Sequence, residues 1–382
     1  MKKIIIILFL ILMIPINVYA TKENEVNVND NSKVQNLYNY ISNMKNEFEG
    51  LNDLDAKTYV NGFLKSGKGN LSTANIYKGV MTFIFKELLA SMKLMILVIV
   101  IAIIGALINN LQNAFSNEKL SNIAYLACYS LLIIVVTKSF YIGIDIAKDT
   151  INKMAEFMAA LIPVLMFLLA SVGGITQMTI MDPIIIGAVN LGARIYNSFI
   201  IPLIFFGFVL QFVNNISDEY KIDKLSKLIN QFALWTQGIF MTIFIGILTI
   251  RGITSKTIDE VTVKVSKYAL DNFIPLVGKC LSDAISTVAG YSLLLKNALS
   301  GLGLIIIVII VIFPVIKIFI LAMLYKLTAA LVEPISDKRI TNCISSAGDS
   351  LILIMSCLIS VSVMFFVMIA ILASAGKMAM GG

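Results

Sequence analysis

Histidine is absent from all 382 residues. That excludes a Ser-His-Asp or Cys-His mechanism, a His-ligated metal and an imidazole proton relay. Cysteine is scarce, and Cys128, Cys280, Cys343 and Cys357 stand far apart with no CxxC pair. Neither a disulfide framework nor a zinc site is expected from that spacing. Charged residues make up only 14% of the chain, against about 25% in soluble domains. The net charge of +7 includes Lys2 and Lys3 and is gathered into no basic cluster, which argues against nucleic acid as a partner. What fills the space is apolar: 58% of residues are hydrophobic and the mean hydropathy is +0.89. Too little polar surface remains to cover a globule, so the chain is an integral membrane protein of all-α class.

The N-terminus carries Met1-Lys2-Lys3, an apolar run from Ile4 to Ile14, Pro15, and then Val18-Tyr19-Ala20. A basic start, a short apolar core and small residues before a cut predict a signal peptide over 1–20, cleaved after Ala20. An uncleaved first span is the alternative, but the run is short for a bilayer. Residues 21–80 then form a small extracytoplasmic region. Within it Val34, Leu37, Tyr38, Ile41, Met44 and Phe48 recur at helical spacing, predicting an amphipathic helix. Asn61-Gly62 and Ser66-Gly67-Lys68-Gly69-Asn70 read as turns.

Residues 81–382 form a polytopic membrane domain. Apolar runs near the 20 residues needed to cross as a helix occur at 94–111, 123–144, 157–176, 184–213, 232–250, 301–324 and 350–373. Six or seven transmembrane helices follow, with 184–213 either one tilted helix or a half-helix plus a span. If the mature N-terminus is outside and all seven runs cross, residues 251–300 and Lys377 are cytoplasmic and Lys148 and Lys153 fall in a short outside loop. Basic residues then divide equally between the two sides, so the positive-inside rule does not orient the chain.

Between the spans, residues 254–300 are amphipathic. Val261, Val265, Ala269, Phe273 and Leu276 step by three or four, with Lys264, Lys267 and Asp271 on another face. After Pro275 and Gly278 comes a second stripe through Leu281, Ile285, Val288, Ser292, Leu295 and Leu299. Lys267 with Asp271, and Lys279 with Asp283, are four apart and able to pair along a helix. Two amphipathic helices joined by the Pro275–Gly278 break can lie in the interface, dip in as a re-entrant hairpin, or line a water-filled path shared by several copies. The interfacial arrangement is the simplest expectation.

Arg194 is the charge placed deepest within an apolar run, a position that is costly and often functional. Lys138 and Lys317 are expected to snorkel toward the interface. Pro163, Pro202 and Pro314 fall inside spans, as in the broken helices of transporters, although such prolines are also ordinary in membrane helices. Gly67-Lys68-Gly69 lacks the GxxxxGK[ST] spacing of a phosphate loop, and Gly301-x-Gly303 is too little for a nucleotide motif. Neither paired intramembrane aspartates nor a GxSG sequence is found, so no enzyme activity and no cofactor are expected.

One stretch is distinctive. Asp259-Glu260-Val261-Thr262-Val263-Lys264, Lys267-Tyr268, Asn272-Phe273-Ile274-Pro275-Leu276-Val277-Gly278-Lys279, Ser282-Asp283-Ala284 and Ser292-Leu293-Leu294-Leu295-Lys296-Asn297-Ala298, up to Gly301, follow one another. With the order of signal peptide, exported region and polytopic body, this pattern resembles the stage III sporulation protein AE family of endospore-forming bacteria. The resemblance implies a place in the mother-cell membrane around the forespore, within a secretion-like channel complex linking the two cells after engulfment. Its implied partners are the ATPase protein AA, the membrane proteins AB, AC, AD and AF, and the ring proteins AG and AH. Protein AH in turn meets the forespore protein Q. A homo-oligomer is compatible with such a role. The positions singled out are Lys264, Lys267, Asp271, Pro275, Gly278, Lys279, Asp283, Lys296 and Asn297, with Arg194 as a separate intramembrane charge.

Two other readings stand beside this one. A stand-alone secondary transporter would carry Arg194 in its substrate path and show inverted repeats, yet the two halves of the chain share no self-similarity. A membrane scaffold that anchors partner rings would need no solute path.

Overall fold

In the computed structural model, residues 32–44, 55–66, 73–115, 118–172, 175–216, 222–273 and 277–375 are described. Of these, 73–76, 109–115, 118–125, 175–182, 215–216, 251–273 and 277–286 are described by backbone alone. The predicted signal peptide lies outside the described residues. Isoleucine- and valine-rich runs favour strands in water, but hydrocarbon offers no partner for an open sheet edge. Such runs therefore close their backbone bonds within helices.

Two short helices come first, α1 (Ser32–Met44) and α2 (Ala56–Ser66). Five longer stretches follow: α3 (Thr73–Phe115), α4 (Glu118–Ser171), α5 (Ile175–Ile195) continuing through a π turn (Tyr196–Ile200) into α6 (Ile201–Ile216), α7 (Asp223–Phe273) and α8 (Val277–Val332). The last helix is α9 (Lys338–Ser374). Asp337 caps α9 by accepting from the Arg339 N–H at 3.1 Å, and Asp55 caps α2 through the Lys57 N–H and the Thr58 hydroxyl. Caps of this kind satisfy first-turn donors that have no partner inside the helix.

Among the described residues, six helical stretches are long and apolar enough to cross a membrane: Tyr77–Ile108, Leu126–Ser171, Pro183–Asn214, Asp223–Ile250, Thr287–Val332 and Lys338–Ser374. Among the described residues the six-or-seven expectation resolves to six, because 123–144 and 157–171 are parts of one helix, α4. Lys148 and Lys153 therefore lie in mid-helix instead of an outside loop, and Lys153 pairs with Asp149 at 3.0 Å. Likewise 184–213 is a single traverse. Ile195 and Ile201, flanking the π turn, both keep right-handed helical angles. The wide turn precedes Pro202, whose ring cannot sit in a regular helix without displacing the preceding turn.

Neighbouring side chains set directions and heights. Gly143 lies against Leu351, Gly303 against Leu161 and Ile369, Gly348 against the Ala322 carbonyl, and Gly192 against Met364. Phe83 meets Phe313 with ring centroids 5.0 Å apart, and Gln237 donates to the Ser356 carbonyl at 2.6 Å. Helices α3, α5–α6 and α8 thus run one way, and α4, α7 and α9 run the other. Helix α9 is the central one and touches α4, α6, α7 and α8. Its buried residues extend from Ile340 to Leu372. Aromatic packing joins α4 to α6, where Phe140 stacks on Phe208 with centroids 3.8 Å apart and Phe208 meets Phe212 edge-on.

Helices α4 and α8 have 54 and 56 residues. At 1.5 Å per residue each extends about 80 Å, well beyond a hydrocarbon core of about 30 Å. The bundle is taller than a membrane. With six traverses, the first and last helices begin and end at the same pole. There α1 packs on α4 and α2 on α8.

Candidate functional site

Most of the residues singled out in 254–300 fall in one helical hairpin. Lys264, Lys267 and Asp271 are in the last part of α7, and Gly278, Lys279 and Asp283 are in the first turns of α8. Residues 274–276, including Pro275, lie outside the described residues. The backbone departs from the interfacial expectation, because both arms are unbroken extensions of membrane-crossing helices. The amphipathic stripes continue the apolar runs beyond the height of the bilayer.

Lys296 and Asn297 occupy the part of α8 where side chains are described, and they sit in a buried polar node. Lys296 is fully buried. Its ammonium donates to the carbonyls of Leu372 at 3.2 Å and Ala373 at 3.1 Å, and also to that of Ala375. These carbonyls close α9, where the last turn has no intrahelical donors and the helix dipole is negative. A lone buried ammonium is very costly, and the exposed end of α9 supplies what it needs. The lysine caps a helix 76 residues away in sequence.

Around it, the Asn297 Oδ1, Ser292 Oγ and Ser300 Oγ atoms are buried without a hydrogen-bond partner among the described residues. Ser292, Lys296 and Ser300 recur every four residues and so share one face of α8. Helices α1 and α2 roof this node. The Tyr59 hydroxyl lies over Gly301, and Lys33 sits 5.5 Å from the centre of the Phe167 ring. Burial pushes the Tyr38 phenol well above its ordinary pKa, with further contributions from Tyr291 and Asp55. Burial raises that of Tyr59 as well. Among the described residues no group of three His, Cys, Asp or Glu is placed to hold a metal. The arrangement suits mechanical locking, with α8, the end of α9 and the α1–α2 roof held together.

Arg194 is not part of that node. It lies in the last turn of α5, exposed on the outside of the bundle. Next to it the Asn197 amide donates to Asn152 Oδ1 of α4 at 2.7 Å. Sequence reasoning missed two other polar contacts. Lys317 pairs with Glu87 of α3 at 3.3 Å. Gln237 of α7 bridges to the Ser356 carbonyl and the Ser360 hydroxyl on α9. Glu87 and Gln237 lie within or beside apolar runs, and that was the available signal.

A family model described as stage III sporulation protein AE matches residues 54–376. Stage III sporulation protein AE of Bacillus subtilis (strain 168) is 33% identical over 341 residues, covering 89% of this chain and 85% of that protein. No solved structure matches the chain.

Proposed function

Since the chain belongs to the stage III sporulation protein AE family, we propose that it is a membrane subunit of a secretion-like channel complex. The complex would link mother cell and forespore and be needed after engulfment. The observation that carries this reading is the extent of the family match, which takes in α2 and the whole six-helix body. In this reading the protein sits in the mother-cell membrane around the forespore. The α1–α2 roof, the α7–α8 hairpin tip and the end of α9 face the space between the two membranes. There they meet the ring proteins AG and AH, and through AH the forespore protein Q. The opposite pole faces the ATPase AA, while AB, AC, AD and AF lie alongside in the membrane. The subunit is non-catalytic and binds no cofactor.

The bundle interior supports a structural part over a stand-alone transporter. Among the described residues, apolar side chains dominate the buried face of α9, as expected for a packed interior. The membrane-scaffold alternative shares this feature. What separates the two is whether solute transfer to the forespore fails when the protein is present but altered.

Clean deletion of the gene in the parent organism tests the proposal, with engulfment and forespore transcription followed by microscopy. The expected result is completed engulfment, then a shrinking forespore with late reporters silent. Normal spores would overturn it. Complementation with Lys296→Glu is expected to fail because the protein does not accumulate. A hairpin variant, Gly278→Ala with Pro275→Ala, is expected to accumulate and still fail.

A further inference from the structure

At one height around the bundle, the α7 side of the outer surface is apolar and the α4 side carries a ridge of charged residues. The register pairs fix that height. Gly143 beside Leu351 and Leu161 beside Ile369, across Gly303, place residues 144–160 of α4 beside 352–368 of α9. The contacts of Gln237 with Ser356 and Ser360 bring α7 to the same level. Gly303 against Ile369 and Gly348 against Ala322 place Phe313 and Lys317 there too. The Phe83–Phe313 and Glu87–Lys317 contacts then bring in α3. At this level α7 exposes Trp235, Ile239 and Ile243, and α3 exposes Phe85 and Leu89 with Lys86 between them. The α7 side is a surface for acyl chains.

The outward face of α4 differs. Asp145, Asp149, Asn152 and Glu156 are its exposed residues between 143 and 158, spaced four, three and four apart along one ridge. Beside them α5 and its π turn expose Asn190, Arg194 and Ser198 together with Leu191 and Phe199. Asp149 is partly answered by Lys153. Asp145, Glu156 and Arg194 make no ion pair among the described residues. Ionisable side chains at membrane depth face protein or water, not lipid.

We propose that the α4–α5 face is buried against the same face of a second copy of this chain, about a two-fold axis along the membrane normal. Two copies in one orientation that meet through the same face are related by a two-fold axis along the normal, which keeps each residue at its own height. The bond from Asn197 to Asn152 makes those two residues level. Helices α4 and α5 run oppositely, so Arg194 and Glu156, about one turn further on, are level as well. When α4 of one copy meets α5 of the other, each Arg194 faces a Glu156 across the interface, and the pair occurs twice. The face is self-complementary in charge, which a lipid surface is not. The inference rests on the transmembrane architecture and is independent of the sporulation role.

Proximity cross-linking of the full-length protein in native membranes tests it, with the four native cysteines replaced by alanine. Two differently tagged copies are co-expressed, one with Ala159→Cys and the other with Asn190→Cys, and treated with a short bis-maleimide. An adduct carrying both tags is expected. Copies with Phe85→Cys or Trp235→Cys are expected to give at least tenfold less. Arg194→Glu should lower the yield at least fivefold, and adding Glu156→Arg to the same chain should restore it. An adduct with a different protein, or equal yields from α7 and α4–α5 positions, would overturn the proposal. So would the absence of any two-tag adduct, including a case where the Ala159→Cys copy instead reacts freely with a water-soluble maleimide and the face borders water. Yields are read per full-length chain in the membrane, and should Arg194→Glu fail to accumulate, the position dependence decides alone.

Discussion

Lys296 shows what a single residue contributes in this membrane fold. Its three bonds go to main-chain carbonyls at the end of α9, so the interaction depends on helix geometry and not on the identity of residues 372–375. Replacing it with methionine keeps most of the stem but leaves those carbonyls buried with fewer donors. A loss of about 1–3 kcal/mol is expected for such groups. Lys296→Glu would set a carboxylate against the negative end of a helix dipole and cost more. Thermal unfolding of both variants in detergent is the measurement, and unchanged melting in both would remove the lysine from the stabilising set. That Lys296 and Asn297 are polar within a mostly apolar stretch is legible in the sequence. The partner of Lys296 is not, because backbone carbonyls carry no sequence signature and this helix end is 76 residues away.

Among the elements, α4 is where pattern reading and structure diverge. Hydropathy divides it into two runs because Asp145, Lys148, Asp149, Lys153 and Glu156 interrupt the apolar sequence. The helix continues because residues 145–156 include neither glycine nor proline and the Asp149–Lys153 pair supports it along its length. The missing loop residues were a readable sign. The α1–α2 roof yields a pH prediction at this scale. Folded Tyr38 and Tyr59 have raised pKa values, whereas in the opened chain they ionise near the ordinary value of about 10. The roof is therefore fully stabilised below about pH 10 and loses stability as pH rises through and beyond that value, since the open state then holds fewer protons. A phenolate absorbance titration of the full-length protein should show late-titrating tyrosines, and Tyr38→Phe should remove one of them. Ordinary titration of every tyrosine would contradict this.

Over the whole molecule, an even number of traverses joins both ends of the membrane body to one pole. Tags inserted at 274–276 and before α1 should be accessible from the same side, and a tag at Ser336 from the other. A seven-crossing chain would instead put 274–276 opposite α1. The helical class and most of the crossing segments were legible, since apolar length alone marks them. The charged ridge on α4 was visible only as scattered letters. Its meaning came from height, which three-dimensional register supplies and linear order does not. That Arg194 is exposed beside this ridge, and not in a central path, was equally beyond a reading of one run.

The clasp at the end of α9 also bears on the order of biosynthesis. A chain made from its N-terminus exposes Lys296 well before residues 372–375 are joined to it. Until the final turn of α9 forms, the ammonium has to remain hydrated and the top of α8 cannot settle under its roof. Assembly of this end is thus tied to completion of the polypeptide. A chain cut short before residue 372 would lack the carbonyls that receive this ammonium at the roofed pole and present membrane proteases with a recognisably unfinished product.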